Sequence, residues 1–510
     1  MLVKVKSVAF KGLEVIDVLV EVNINNKGLP SFDIVGLPNK SVEESKLRVR
    51  SAFVNCGVEF PNRKITVNLA PADLHKEGTF YDLAIAVGVF CAKNGIEVND
   101  KWYFFGELSL SGELADTRGS FLFAKYLSEK SDSSAFLANS ALSTVFGFRG
   151  LVNRCNYYSV NNLKTLFSFF KKEGTLQPVK DQDSVHEIGR LRGGDQDPTI
   201  DDIVGQNLAK RALQICAAGG HNLLLRGSPG TGKTMLAKSI TSILPTLSDS
   251  ERLEVARIYS YTGVLGGVSG YRLLRPFRNP HHTISYAGML GGGFPILPGE
   301  ITMAHKGVLF LDEFCEFNRN VIEGLRQPMQ NGYINLNRKG QTFSFPSKFI
   351  LVAATNPCPC GYHGHPKIVC TCSDSKIFSY AKKLSGPILD RFDLSVDMFP
   401  PDDFSNKAIV GNKYLSNFQR SVEVARFTQA SRFQKTAVAF NCEMSNQDLA
   451  NFCPLGKPSR ALLDNAYRKL NLSPRAYYKV IKISRTIADL ANAPQITEAH
   501  VAEALQFRHK

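Results

Sequence analysis

The octapeptide Gly227-Ser228-Pro229-Gly230-Thr231-Gly232-Lys233-Thr234 constrains this chain more than any other feature. It fits the spacing G-x-x-x-x-G-K-[ST]. An apolar run, His221–Leu225, leads in, and a helix-forming run, Met235–Leu244, leads out. Glycines at this spacing let successive backbone N–H groups turn toward one anion. The start of the following helix adds the positive end of its dipole. Strand, cradle and helix in this order call for a parallel sheet covered on both faces. ATP and Mg²⁺ are the expected ligands. Gly227 to Gly232 would surround the phosphates, Lys233 would neutralise the β- and γ-phosphates, and the Thr234 hydroxyl would ligate Mg²⁺. A chance match in a glycine-rich loop would not bring this strand and helix with it.

Four further segments extend the same chemistry. Val308–Leu311 is an apolar strand that ends in Asp312-Glu313. Asp312 can hold Mg²⁺ through its water shell, and Glu313 can orient an attacking water. A second apolar strand, Phe349–Ala354, runs into Thr355-Asn356, where an amide can meet the γ-phosphate or that water. In Leu389-Asp390-Arg391-Phe392-Asp393, Arg391 can act as an arginine finger on a neighbour's ATP. The alternative is a local pair with Asp390 or Asp393. Arg475 begins a helix, from which it can link nucleotide state to lid position. Its alternative is a solvated helix residue.

The chain has 510 residues, enough for roughly 3 domains. Residues 1–170 read as an α+β unit. Alternating runs at Val3–Phe10, Val15–Val22, Lys64–Leu69 and Trp102–Leu110 enclose helical patterns at Ser41–Cys56 and Tyr81–Lys93. Residues 171–199 are polar and glycine-rich, as a linker is. Residues 200–401 alternate buried strands with helices. Residues 402–510 are helical, at Asn406–Gln419, Ser459–Lys469 and Arg475–Ala491, with Thr497 as N-cap of a last helix. No apolar run approaches the ~18–20 residues of a membrane span. Met1–Lys6 alternates like a strand and lacks the apolar block of a signal peptide. A cytoplasmic protein is expected. The net charge of +15 invites a polyanion, although many cytosolic proteins are basic without binding one.

Eleven cysteines in a reducing compartment do not suggest a disulfide framework. Four of them cluster as Cys358-x-Cys360 and Cys370-x-Cys372. Four thiolates can form a tetrahedral structural Zn²⁺ site, with His363 and His365 between the pairs as substitutes. A C-x-C spacing is less common in such sites than C-x₂-C, and a loop of free thiols is the alternative.

Taken together these motifs resemble AAA+ proteins of the helix-2-insert clade. Arg275-Pro276-Phe277-Arg278-Asn279-Pro280-His281-His282, Pro298-Gly299-Glu300-Ile301, Leu325-Arg326-Gln327-Pro328 and Asn356-Pro357-Cys358-Pro359-Cys360-Gly361 resemble the ComM/YifB family of magnesium-chelatase-like ATPases over almost the whole chain. The resemblance implies an α/β AAA+ P-loop domain with a helical lid. It also implies a homo-hexameric DNA motor, a helicase that promotes branch migration when single-stranded DNA is integrated during natural transformation. By the same resemblance the entry segment Ile203-Val204-Gly205-Gln206 would touch the adenine. Tyr259–Thr283 would hold the clade's insert, Gly291–Gly293 a flexible loop, and Gln330–Pro346 the hairpin before the Asn356 segment. Arg338 and Lys339, beside the turn glycine Gly340, would meet DNA phosphates in a ring pore; an ordinary exposed basic hairpin is the alternative. Arg326 would face a neighbour's nucleotide or make a structural salt bridge. His281 and His282 would couple nucleotide state to the insert, or be structural.

Asn68–Ala86 and Phe105–Ala124 resemble the Lon-protease-like (ribosomal S5 domain 2-like) fold. Phe80 then stands where that family has its serine, and Phe121 where it has its lysine. A Ser–Lys nucleophile needs a hydroxyl beside an amine, so peptide hydrolysis is not expected. The rival readings are a chelatase-type metal-insertion ATPase and a protein-remodelling ATPase. The first would need a partner with a metal-dependent adhesion motif, and no D-x-S-x-S occurs here.

Overall fold

The computed structural model describes residues 1–130, 132–148, 155–179, 198–265, 273–338, 340–384, 386–400, 414–436 and 438–508. The alternating runs near the N-terminus build a seven-stranded mixed sheet. Its spatial order is Ser31–Val35, Lys64–Ala70, Glu14–Asn25, Leu2–Lys11, Trp102–Phe104, Ser133–Leu137 and Cys155–Ser159. The register Val5↔Val20 of the long hairpin puts Val3, Val5, Val18, Val20 and Val22 on one buried face. The helix Asp82–Asn94 crosses that face at Gly88, where a Cβ would stand 2.4 Å from Val22 Cγ2.

Two expected elements divide. The strand expected over Trp102–Leu110 ends at Phe104, because Gly106 turns to the helix start: its N–H donates to Phe80 O and its carbonyl accepts from Leu83 N. The helix expected over Ser41–Cys56 forms as Lys40–Glu43 and Ser45–Asn55, and Arg48 Nη2 takes the Ser41 carbonyl at the break.

A second sheet has five parallel strands, in the order Phe277–Arg278, Val308–Leu311, Ile350–Thr355, Leu223–Gly227, Leu394–Met398. Helices cover both faces, so Val308–Leu311 and Ile350–Thr355 are buried at every position. Leu223, Leu225, Phe310 and Val352 face one core with the helices Asn207–Gly219 and Lys233–Ile243. Leu224, Leu309, Leu311 and Leu351 face the other, with Ile301, Phe314 and Val321. The C-terminal helices Tyr414–Phe433, Lys457–Lys469, Pro474–Leu490 and Glu498–Gln506 join the first of these cores through Val422, Leu463, Val480 and Val501. Thr497 caps the last helix as expected, with His500 completing the capping box. The first part of the helix expected over Asn406–Gln419 lies outside the described residues, as do residues 180–197 of the expected linker.

The two sheets are joined through the helices Ser120–Ser128 and Asp249–Thr262. Gly119 N donates to Ser260 O at 2.9 Å, Phe121 N to Ser260 Oγ at 3.2 Å, and Arg257 to Leu13 O at 3.2 Å. Phe121 packs with Phe148, Val255 and Ala256 in this joint. Phe80 is buried and stacks on Phe105 at 4.7 Å. Phe80 and Phe121 are thus both packed aromatic rings. Among the described residues no helix is long and apolar enough to cross a membrane.

Candidate nucleotide site

The phosphate-loop residues leave the C-terminal end of the strand Leu223–Gly227. Gly227 is forced by the neighbouring strand, since a Cβ there would lie 2.4 Å from Met398 O. Gly230 and Gly232 have φ of +79° and +86° and face open space. Side chains there would be strained and would fill the cradle. The helix Lys233–Ile243 begins at once, with no side-chain cap on its first N–H groups, which leaves them for an anion. Ser228 Oγ is buried with no hydrogen-bond partner among the described residues. These features fit a polyphosphate. Lys233 Nζ donates to Gly227 O and Ser228 O at 2.8 Å and to Asn356 Oδ1 at 3.2 Å. Burial pushes its ammonium below the ordinary lysine value, while Asp312 and Glu313 pull it back up.

The carboxylates follow the next strand but one. Thr234 Oγ1 donates to Asp312 Oδ2 at 2.7 Å. A hydroxyl and a carboxylate converging this way suit Mg²⁺, an oxygen-seeking ion. Glu313 has φ +50°, and its carboxylate lies 3.4 Å from His282 Nδ1. The His281 and His282 rings are 4.1 Å apart, so this pair sits beside the catalytic-type carboxylate. Ile203 is buried and Val204 half-exposed. Gln206 ties this entry segment to the loop, donating to Thr231 O at 3.4 Å and Phe399 O at 2.7 Å. Gln206 belongs to the expected entry segment, but its contacts to Thr231 and Phe399 are made only by the fold.

Arg391 lies at the opposite end of the strands. It precedes Leu394–Met398, which pairs in parallel with the phosphate-loop strand, Leu223 opposite Leu394. At ~3.3 Å per residue this separates Arg391 from the phosphate loop of its own chain by about 20 Å. Its guanidinium donates to Pro387 O at 2.7 Å and Gln330 Oε1 at 3.3 Å, and its Nε is buried without a partner. Neither expected local partner holds it. Asp393 instead faces Lys479 at 3.4 Å and His221 at 3.6 Å. Burial pushes the Asp393 carboxyl up, but Lys479 and His221 more than reverse this, leaving it well below the usual range. Arg475, in the first turn of Pro474–Leu490, lines the same cavity of about 940 Å³ as Arg391, Gln330, Lys479 and Lys482. Burial, then the charges of Arg475 and Arg326, push Arg391 below the ordinary arginine value. Arg326 makes the structural pair, to Glu323 at 2.7 Å. Lys479, one turn on from Arg475, binds Asp390 O and Phe392 O at 2.6 Å each and so fixes the Arg391 turn to the lid helix. Its i,i+4 spacing from Arg475 was the available signal.

The hairpin Tyr333–Arg338/Gln341–Pro346 forms as expected, with Arg338 opposite Gln341 at its end. That leaves a two-residue turn, and Gly340 supplies its φ of +76°. Arg338 is exposed; Lys339 lies outside the described residues. The glycines expected as a flexible loop pair instead: Gly291–Gly292 forms a short ladder with Leu297–Pro298, and a Cβ on Gly291 would stand 2.8 Å from Leu297 O. The segment expected to hold the insert, Tyr259–Thr283, also contributes the edge strand Phe277–Arg278, and its residues 266–272 lie outside the described residues. The four clustered cysteines converge, with every pair of sulfurs within 4.8 Å.

With this geometry in view, the family comparisons agree along the chain. Residues 199–405 match the family described as magnesium chelatase, subunit ChlI; residues 20–141 match subunit ChlI of Mg-chelatase; and residues 415–508 match its C-terminal region. YifB of Escherichia coli is 40% identical over 501 residues, covering 98% of this chain and 95% of that protein. The competence protein ComM of Haemophilus influenzae is 39% identical over 510 residues, covering 99% of this chain and 97% of that protein. The magnesium-chelatase 67 kDa subunit of Chlorobaculum parvum is 27% identical over 160 residues, 31% of this chain and 23% of that protein. The chain belongs to the ComM/YifB family of magnesium-chelatase-like AAA+ proteins.

Proposed function

We propose that this chain is an ATP hydrolase that acts as a ring-shaped motor on DNA in the cytoplasm, six copies sharing their ATP sites. One observation carries the shared site. Gly227 to Thr234, Asp312, Glu313 and Asn356 gather at the carboxyl ends of the parallel strands, and Arg391 and Arg475 lie toward their amino ends. An arginine about 20 Å from its own phosphate loop supports a role at the site of another copy. Head-to-tail contact between unlike edges closes into a ring when the rotation allows it.

In this reading Ile203 and Val204 seat the base, and the loop N–H groups with Lys233 hold the phosphates. Thr234 and Asp312 hold Mg²⁺, which when bound neutralises charge on the β- and γ-oxygens. Glu313 takes the proton side of the attacking water, and Asn356 orients it. Arg391 of a neighbouring copy stabilises charge on the departing phosphate, and Arg475 passes the change to the lid. Arg338 and Lys339 touch DNA phosphates from the hairpin tip. The DNA reading, with branch migration during recombination and natural transformation, rests on the near-full-length similarity to ComM. The chelatase alternative has only the family descriptions and a match over 31% of the chain. The division into a Lon-protease-like unit at 1–170, a linker at 171–199, an ATPase core at 200–401 and a lid at 402–510 belongs to the same proposal. The separate buried core of the first unit supports its boundary, while the last unit shares one core with the ATPase unit.

The test is ATP turnover of the full chain with and without single-stranded DNA at low salt. Several-fold stimulation is expected. Absence of turnover, or turnover indifferent to any DNA, overturns the reading.

A further inference from the structure

We propose that Cys358, Cys360, Cys370 and Cys372 bind one Zn²⁺, and that the metal clips the loop after Asn356 against the phosphate loop. The sulfurs lie 3.3 Å (Cys358–Cys360), 3.5 Å (Cys360–Cys370) and 3.7 Å (Cys358–Cys370) apart, all four within 4.8 Å of one another. Zn–S bonds of ~2.3 Å in a tetrahedron place sulfurs about 3.8 Å apart. The four thiols are free, not joined as disulfides.

Two observations separate a metal site from a chance cluster of thiols. Residues 356–373 contain no helix or strand, and their apolar side chains do not build a core. Val369 is 86% and Ile368 45% exposed. A long loop of this kind needs something other than packing to fix it. Second, the ligand set closes on sulfur alone. The His363 N–H donates to Cys358 Sγ at 3.3 Å, the outer hydrogen bond that thiolate ligands commonly receive. His365 Nδ1 accepts from Lys367 N and Ile368 N at 3.1 and 3.0 Å, so that nitrogen is occupied. Binding converts four thiols to thiolates and releases up to four protons, written Zn²⁺ + 4 RSH → [Zn(SR)₄]²⁻ + 4 H⁺.

The clip reaches the nucleotide site through Gly361. Its N–H donates to Cys358 O at 3.0 Å. Its φ is +85°, and a Cβ there would lie 2.5 Å from Pro229 Cδ. Cys358 is also two residues from Asn356, whose amide accepts from Lys233. A closed metal loop therefore holds both the back of the phosphate loop and the Asn356 segment. The metal site stands apart from the ATP reading. Only the use made of the ordered phosphate loop rests on it.

The test uses the full chain. Metal analysis after dialysis should give one zinc per chain. Exchange for Co²⁺ should give thiolate charge-transfer and tetrahedral ligand-field absorption. Cys370→Ser with Cys372→Ser should lose both, with the overall fold checked by circular dichroism. Amide exchange over residues 227–234 should speed up about tenfold in the double variant, and equally in wild-type chain stripped with chelator, should the variant fold poorly. Purified chain with no zinc, and no uptake of added Zn²⁺ or Co²⁺, overturns the site. Zinc bound one to one, with exchange over 227–234 unchanged on its removal, overturns the clip. Failure of zinc-loaded chain to bind ATP would count against the nucleotide reading alone, because the exchange measurement needs no nucleotide.

Discussion

Glu313 holds a left-handed backbone, φ +50°, that residues with a Cβ do not favour. Such a conformation costs about 1–3 kcal/mol and persists where the surroundings impose it. Here the Glu313 N–H donates to Asp312 Oδ1 at 2.9 Å, and its carboxylate faces His282 at 3.4 Å. In the proposed mechanism, where Glu313 meets the attacking water, His282 would act as a positioning residue for that carboxylate. His282→Ala should lower kcat about tenfold and leave KM for ATP close to wild type. A changed KM with unchanged kcat would mean that His282 serves binding instead. The sequence presents His281-His282 as a bare pair. Only the fold, which sets the edge strand Phe277–Arg278 beside Val308–Leu311, brings it to Glu313.

At the scale of elements, the buried strands were legible because burial on both faces leaves an unbroken apolar run, as in Val308–Leu311. The two outer strands were not. Phe277–Arg278 is too short to show a period, and Leu394–Met398 is interrupted by Ser395 and Asp397, with Asp397 paired to Arg226 at 2.6 Å. The phosphate-loop residues were legible one by one, since their chemistry demands fixed spacing. Lys479 was not, because it acts through contacts to Asp390 O and Phe392 O that are made only by folding. The hairpin was legible from its turn glycine, but what its tip touches is a matter for experiment. Arg338→Ala with Lys339→Ala should weaken binding to single-stranded DNA and reduce the salt slope of log K by about 1.4, since two phosphate contacts are lost. An unchanged slope would remove both residues from the DNA interface.

For the whole molecule, the distance between Arg391 and its own phosphate loop has a consequence in mixtures. Glu313→Gln lacks the carboxylate, and Arg391→Ala lacks the finger. Each chain alone should be nearly inactive, by about 10³-fold or more for the arginine. Mixed one to one, about a quarter of head-to-tail interfaces join an intact Glu313 to an intact Arg391, and turnover should return to that level. No recovery in a ring proven to mix would place both residues in one chain's site. The motor itself is tested most directly by displacement of a labelled strand from branched DNA. The account predicts displacement with ATP and Mg²⁺, binding without displacement when a non-hydrolysable analogue replaces ATP, and loss of displacement in Arg391→Ala. Failure to bind DNA at low salt with that analogue, or displacement that does not require hydrolysis, would contradict it.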